Sequence, residues 1–335
     1  MRVASRVDLV LPGLFNLPSA EIDPDIVSRQ LPSLNHLLRF GHQQSNNLFE
    51  MDSILADCLG LDGFQILPFA SAFAGEKDAG QGNHLLCRAV HLKPDMRNAF
   101  VIPLHETAEE FDHIDILIND LGDLFKPDCD LTKIDDGLWF MRLRECQPPS
   151  HYPHYLSIVG RKVDQYIEQS RTALPWYQLM NEMQMFLHSH EVNQKRLLNG
   201  LLPINSLWCW GAGEFIQPQS TQKHWYCDEL TLKAYAEKSN IEQSPVSVLA
   251  HTDLNDDSLI VDLRLLDALK SPDAEDLSEI LLRLESELFK PLLNRIKSGQ
   301  VHLRLRAGHE NDLSISSASR FRFWKKNTGL IDWLS

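Results

Sequence analysis

The apolar positions change period several times along the chain, and each change marks an element. A short apolar run at 7–11, closed by Pro12-Gly13, predicts a buried first strand. Leu34, Leu37 and Leu38 share one helical face within 31–40, with Gly41 beyond as the C′ residue. A second helix is predicted over 47–58, with Asn46 as its N-cap and Gly60 after its end. Strands are predicted at 85–92, 99–103 and 138–143. Among them, Phe111, Ile114, Leu117, Ile118 and Leu121 recur at 3–4 spacing and predict a helix over 106–125. The G-E-K-D-A-G-Q-G-N run at 75–83 reads as a loop, and Q-P-P-S-H-Y-P at 147–153 as a linker.

A short helix is predicted at 162–170 and a stronger one over 175–188. Pro175 suits its first turn, and Trp176, Leu179, Met180, Met183 and Leu187 form its buried stripe. A strand over 201–210 runs into the turn Gly211-Ala212-Gly213. Then come a helix at 230–238, buried strands at 246–250 and 258–263, and a well-capped helix over 273–297 that Pro291 should kink or split. Alternation predicts last strands at 301–306 and 320–324. Strands and helices alternate at both ends of the chain. The fold class expected is therefore an α/β core sheet with helices on both faces, built from 1–84 and 154–335, with 85–153 as an inserted α+β domain.

Composition narrows the partners. At 335 residues the chain is long enough for two domains, and its net charge of −14 argues against nucleic acid. A small anionic or phosphorylated metabolite would need a local site of its own. The six cysteines form no C-x-x-C pair, so free buried thiols are expected. No run of 18 apolar residues is present, and Asp8 interrupts the opening run, which reads as a strand and not a signal peptide. The expected location is cytoplasmic, with no membrane partner.

The densest motif is Asn193-x-x-Arg196-x-x-x-Gly200-x-x-Pro203-x-Asn205, followed by Trp210-Gly211-x-Gly213. Arg196 offers a planar fork for a carboxylate or phosphate, and Asn193 and Asn205 both donate and accept. Gly211 and Gly213 leave backbone N–H groups approachable. These residues, with Trp210, are the candidate binding set; a helix end, a capping Asn and a strand explain the same letters equally well. Trp208 and Trp210 should face one side of the strand and Cys209 the other. His188 and His190 lie two apart and suit helix capping better than metal ligation. Asp253, Asp256 and Asp257 suit either a hard cation or a plain acidic loop. His309, directly after a predicted strand, is the candidate catalytic histidine. There is no P-loop, no G-x-S-x-G and no three-glycine dinucleotide fingerprint.

The run N-E-M-Q-M-F-L-H-S-H-E-V-N-Q-K-R-L-L-N-G-L-L-P-I-N-S-L-W-C-W-G-A-G (181–213) resembles the archaeal-type, cofactor-independent phosphoglycerate mutases. It is similar also to a bacterial branch of about this length, described either as phosphoglycerate mutase-like or as pathogenicity-factor regulatory proteins. Val90-His91-Leu92, the W-F-M-R-L strand at 139–143 and the R-F-W at 322–324 carry that second likeness. The resemblance implies an alkaline-phosphatase-like core with an inserted domain, two manganese or zinc ions, and a serine that carries the phosphoryl group. This chain departs from the pattern. Where the family has D-G-x-G-D after its first strand, Leu11-Pro12-Gly13-Leu14-Phe15-Asn16 stands here, and G-D-H near the C-terminus is Ala307-Gly308-His309. Ser71 has the best of several poor contexts for a nucleophile. Three readings stay open; the purely structural one makes the tryptophans a core or dimer surface and predicts no ligand, and the other two are functional. One is a ligand-binding or regulatory protein that has lost the metals, with no cofactor expected. The other is an active phosphomutase or phosphatase holding Mn or Zn through rearranged ligands such as Asp253, Asp256, Asp257 and His309.

Overall fold

A computed structural model of the chain describes residues 4–18, 22–23, 25–46, 48, 50–61, 66–75, 82–95, 98–149, 151–163, 166, 173–254, 256–270, 276–308, 310–321 and 329–334. In chain order the elements are β1 (Ser5–Val10), α1 (Pro32–Phe40), β2 (His42–Ser45), α2 (Met51–Cys58), β3 (His84–Asp95), β4 (Asn98–Ile102), α3 (Ala108–Leu124), β5 (Cys129–Asp135), β6 (Leu138–Leu143), the short α4 (Tyr155–Ile158), α5 (Leu174–Ser189), α6 (Glu191–Leu198) and β7 (Ser206–Trp210). They continue with β8 (His224–Cys227), α7 (Leu230–Lys238), β9 (Glu242–Ser244), β10 (Ser258–Val261), α8 (Arg264–Lys270), α9 (Leu277–Leu284), α10 (Lys290–Lys297), β11 (Val301–Arg306), β12 (Asn311–Ile315) and α11 (Leu330–Leu334). Two compact units result: Met1–Gly63 with Pro218–Leu269 and Ala274–Ser335, and Phe64–Gln217 with Lys270–Asp273.

The first unit is built on a mixed sheet of order β2-β12-β11-β1-β10-β8-β9. β11, β1, β10, β8 and β9 are mutually parallel; β12 runs antiparallel to both β11 and β2. Alternation assigns the faces. Val7, Leu9, Ile260, Leu303, Leu305 and Leu313 enter one apolar core with α1, α9 and α10. Asp8, Arg304, Arg306 and Asp312 point the other way, where Arg306 meets α2 through Ile54 O and Cys58 Sγ. The expected α/β core with helices on both faces is what the chain forms.

Local chemistry explains most element ends. α1 has no side-chain cap at Leu31, so the Glu285 carboxylate serves instead, accepting the Ser33 and Leu34 N–H groups at 2.8 and 3.0 Å. The long helix near the C-terminus divides, as Pro291 requires. A π-helical turn at Glu285–Phe289 sets Pro291 in the first turn of α10, where its missing N–H costs nothing. Several expectations are corrected. Gly41 ends α1 at φ −58°, so it is not a left-handed C′ residue. Its small size serves close packing, since a Cβ there would lie 2.9 Å from Leu37 O. Asn46 does not cap α2, which starts at Met51; its side chain bonds Asp312 instead. Residues 246–250 form a 3-10 helix following Pro245 and not a strand. Arg320 and Phe321 end a 3-10 turn, while 322–324, 164–165 and 167–170 lie outside the described residues.

The second unit holds an antiparallel sheet of order β4-β3-β6-β5, with β7 pairing the same β3. That last pairing makes the unit wider than 85–153, because Cys87 sits opposite Cys209 and the strand entering the glycine turn joins β3. α5 buries Trp176, Leu179, Met180, Met183 and Leu187, the stripe read from the sequence. Thr107 caps α3 through its Oγ, and His190 caps α6, its Nδ1 accepting from Val192 N at 3.2 Å. The same ring's Nε2 therefore carries the proton and donates to Asp120. No described helix is long and apolar enough to cross a membrane.

Candidate functional site

Parallel sheets carry ligands and chemistry at the C-terminal ends of their strands. In the first unit those ends are Leu11 after β1, Asp262 after β10, Asp228 after β8 and Ala307-Gly308 after β11. His309 lies outside the described residues. After β1, Leu11 N donates to Arg306 O at 2.8 Å, and Leu11 and Leu14 are fully buried in the apolar core. The place where the resemblance puts a metal-binding aspartate is thus filled by packed hydrocarbon. Asp228 is exposed, and its carboxylate accepts from Val246 N.

Asp262 is the buried carboxylate of this edge, and the sequence reading placed it inside a strand without giving it a role. Its backbone N–H continues the ladder to Val10 O at 3.0 Å. Both carboxylate oxygens face Arg264: Nε lies 3.1 Å from each, and Nη2 is 2.7 Å from Oδ2. Arg264 Nη1 reaches Glu287 at 2.5 Å. Burial works against the guanidinium charge, but Asp262 and then Glu287 outweigh it and hold the group protonated above its ordinary range. A carboxylate gripped on both oxygens by an arginine is a poor ligand for Mn²⁺ or Zn²⁺, because the cation must displace a permanent positive charge. Among the described residues no group of three His, Cys, Asp or Glu side chains is placed to hold a metal. Among the described residues the donor set does not fit a two-metal centre.

The acidic loop does not repair this. Asp256 and Asp257 precede β10 and sit at the N-terminal edge of the parallel strands, whereas Gly308 follows β11 at the opposite edge. Asp257 accepts from Arg6 N and Thr221 Oγ, each at 2.8 Å, and Asp256 faces Lys223. Asp253 is exposed. The run after β11 therefore leaves from the far side of the sheet.

In the second unit the N-x-x-R motif is tied into the protein. Asn193 is buried, donating to Leu187 O and Ile204 O and accepting from Ile204 N. Arg196 is buried and bidentate to Glu110 at 2.9 and 2.6 Å, and it also donates to Leu202 O. It lines a small cavity with His105, Gly200 and Lys270, but Glu110 compensates its charge. Asn205 mimics a strand residue, accepting from Leu92 N and donating to Leu92 O. Gly211 has φ +74°, and a Cβ there would stand 3.0 Å from Ala70 N. The close approach that Gly211 allows is to the protein's own backbone, for its carbonyl accepts from Ala70 N. A Cβ on Gly213, at φ +125°, would stand 3.3 Å from the Pro68 side chain. Glu110 was not singled out from the sequence; an acidic residue in the first turn of a helix signals dipole stabilisation, not a partner 86 residues away.

The two tryptophans do share a face. Trp208 lies 5.1 Å from the Tyr152 ring and donates to Pro153 O, and Trp210 lies 5.3 Å from His154. Cys209 points opposite and meets Cys87, Sγ to Sγ 3.2 Å. Ser71 is buried, its hydroxyl donating to Pro68 O. All six cysteines are free, and only Cys146 is more than marginally exposed. Burial pushes Cys58, Cys129 and Cys227 up to about 12 and Cys87 well above its usual value. Iodoacetamide at pH 8 should therefore modify Cys146 alone in the folded protein and all six cysteines in urea, as counted by intact mass; fast labelling of Cys87 in the native state would contradict the packing of β3 on β7.

No known family model matches the chain. Over 69 residues, 21% of its length, it is 35% identical to the 2,3-bisphosphoglycerate-independent phosphoglycerate mutase of Methanosarcina mazei. Over 62 residues it is 34% identical to the probable 2,3-bisphosphoglycerate-independent phosphoglycerate mutase of Geobacter sulfurreducens. The matched stretches span 16% and 15% of those relatives. The fold is similar to that of the PH0037 protein from Pyrococcus horikoshii, with a TM-score of 0.52 over 94% of this chain and 88% of that one at 14% identity. The chain thus has a phosphoglycerate mutase-like relationship in one segment.

Proposed function

We propose that this is a phosphoglycerate mutase-like protein that works by binding a ligand, in a regulatory role like that of the bacterial branch it resembles, and not by two-metal phosphoryl transfer. The observation that carries this reading is the fork of Arg264 on Asp262, backed by Glu287. It puts a fixed cation on the buried carboxylate of this edge, and a two-metal centre is built from carboxylates left free to bind cations. Buried Leu11 and Leu14 after β1 remove the second anchoring point. A rearranged centre drawing on Asp256 and Asp257 has the wrong edge of the sheet. Arg196 supplies no uncompensated charge for a phosphate, so a phosphorylated ligand is not the one the described side chains favour.

The purified protein, loaded with Mn²⁺ or Zn²⁺ and given 3-phosphoglycerate, is expected to form no 2-phosphoglycerate above the blank. The R264A variant, which frees Asp262, should stay inactive because no carboxylate stands after β1. Turnover by the wild type that a chelator abolishes would overturn the reading.

A further inference from the structure

The second unit carries a half-open cavity of about 290 Å³, lined in part by Tyr152, Trp176, Tyr177, Met180, Gln184 and Trp208. We infer that this cavity is a binding site for one uncharged, planar aromatic or heteroaromatic molecule. The inference deepens the ligand-binding reading and rests on it only for the expectation that a ligand exists.

Size, walls and charge all point the same way. The volume is close to the lower end of small-molecule pockets, about 300 Å³, which suits one ring or two fused rings. Four of the walls are aromatic, and the Trp208 and Tyr152 rings meet at 35° with centroids 5.1 Å apart. Such edges and faces receive an aromatic guest by offset stacking. None of the described lining residues is Asp, Glu, Lys, Arg or His. An anion entering would lose its hydration and meet no counter-charge, a cost that a neutral guest does not carry. Tyr152 is buried at this wall, and burial, then Tyr177, push its hydroxyl well above its ordinary range.

Uncharged polar groups share the lining: Asn98, Asn181, Gln184 and Ser206. Gln184 donates to Ser206 Oγ at 3.0 Å, which ties α5 to β7 at the wall. Trp176 closes the wall beside Tyr152, its indole N–H buried against the Tyr152 hydroxyl.

The test titrates the full-length protein with adenine, indole and nicotinamide as neutral probes and 3-phosphoglycerate as the anionic one, by ligand-detected NMR and calorimetry. At least one neutral probe should bind one-to-one, insensitive to salt and undisplaced by 3-phosphoglycerate. Y177A removes a half-buried aromatic wall and should weaken binding about fivefold. M180W should fill the cavity and abolish binding; if that variant does not fold, Y177A decides. No binding of any neutral probe to folded wild type, displacement by 3-phosphoglycerate, or unchanged affinity in Y177A would each overturn the assignment. None of these readouts involves metal or turnover, so failure here leaves the result of the phosphoglycerate assay standing, and the reverse holds too.

Discussion

Replacing Arg196 by alanine should lower stability by about 3–5 kcal/mol, the range for stripping one partner from a buried ion pair. Its side chain is 1% exposed and that of Glu110 4%, and the two are joined by paired N–H···O bonds. Alanine leaves the Glu110 carboxylate in the interior without its counter-charge, and leaves Leu202 O without two donors. Lysine should recover little, since a point charge cannot span both carboxylate oxygens and the carbonyl. The double change E110L/R196M should recover most of the loss, because removing both charges removes the desolvation cost with them. Urea unfolding followed by near-ultraviolet circular dichroism measures each. A loss below about 1 kcal/mol for R196A, the range of an exposed pair, would mean the guanidinium is accessible and would return Arg196 to the list of anion-binding residues.

Gly211→Ala is expected to cost about 2–4 kcal/mol. About 1–2 kcal/mol of that is the left-handed backbone, which a side chain disfavours. The remainder comes from contact, since the added methyl would meet Ala70 N at 3.0 Å and Phe69 N at 3.2 Å, both backbone atoms held by the Ala70–Gly211 hydrogen bond. Gly200 is the internal control. Its φ of +75° matches, but nothing lies within 4 Å of its added Cβ. G200A should therefore show the conformational cost alone. Equal unfolding midpoints for the two variants would mean that the turn after Trp210 is open and its backbone N–H groups are approachable, as a ligand lip requires.

Periodicity carried the long amphipathic elements. The α5 stripe and helix α7 stood in the sequence because Trp176, Leu179, Met180, Met183 and Leu187, and the clean run at 230–238, repeat over several turns. Short segments failed for a physical reason. V-S-V-L-A at 246–250 is too brief to distinguish a strand from a helical turn, and Pro245 tips it to 3-10. β12 and β5 were missed because Asp312 and Lys133 make them look polar, although Asp312 is buried against Arg304 and Arg306. The site was less legible still. Asn193, Arg196 and Asn205 were correctly seen as unusual, but unusual polar residues mark buried networks as readily as ligands. Only long-range partners such as Glu110 for Arg196 and Leu92 for Asn205 separate the two. Asp262 and Arg264, by contrast, are two residues apart at the end of a predicted strand, and a carboxylate at such an end is a signal the sequence does contain.

The central claim is that the C-terminal edge of the first sheet holds an internal ion pair in place of a metal centre. Elemental analysis of the full-length protein after exposure to Mn²⁺ and Zn²⁺, with removal of excess by gel filtration, tests it most directly. The account predicts well under one ion of either metal per chain; about two tightly held ions per chain would contradict it.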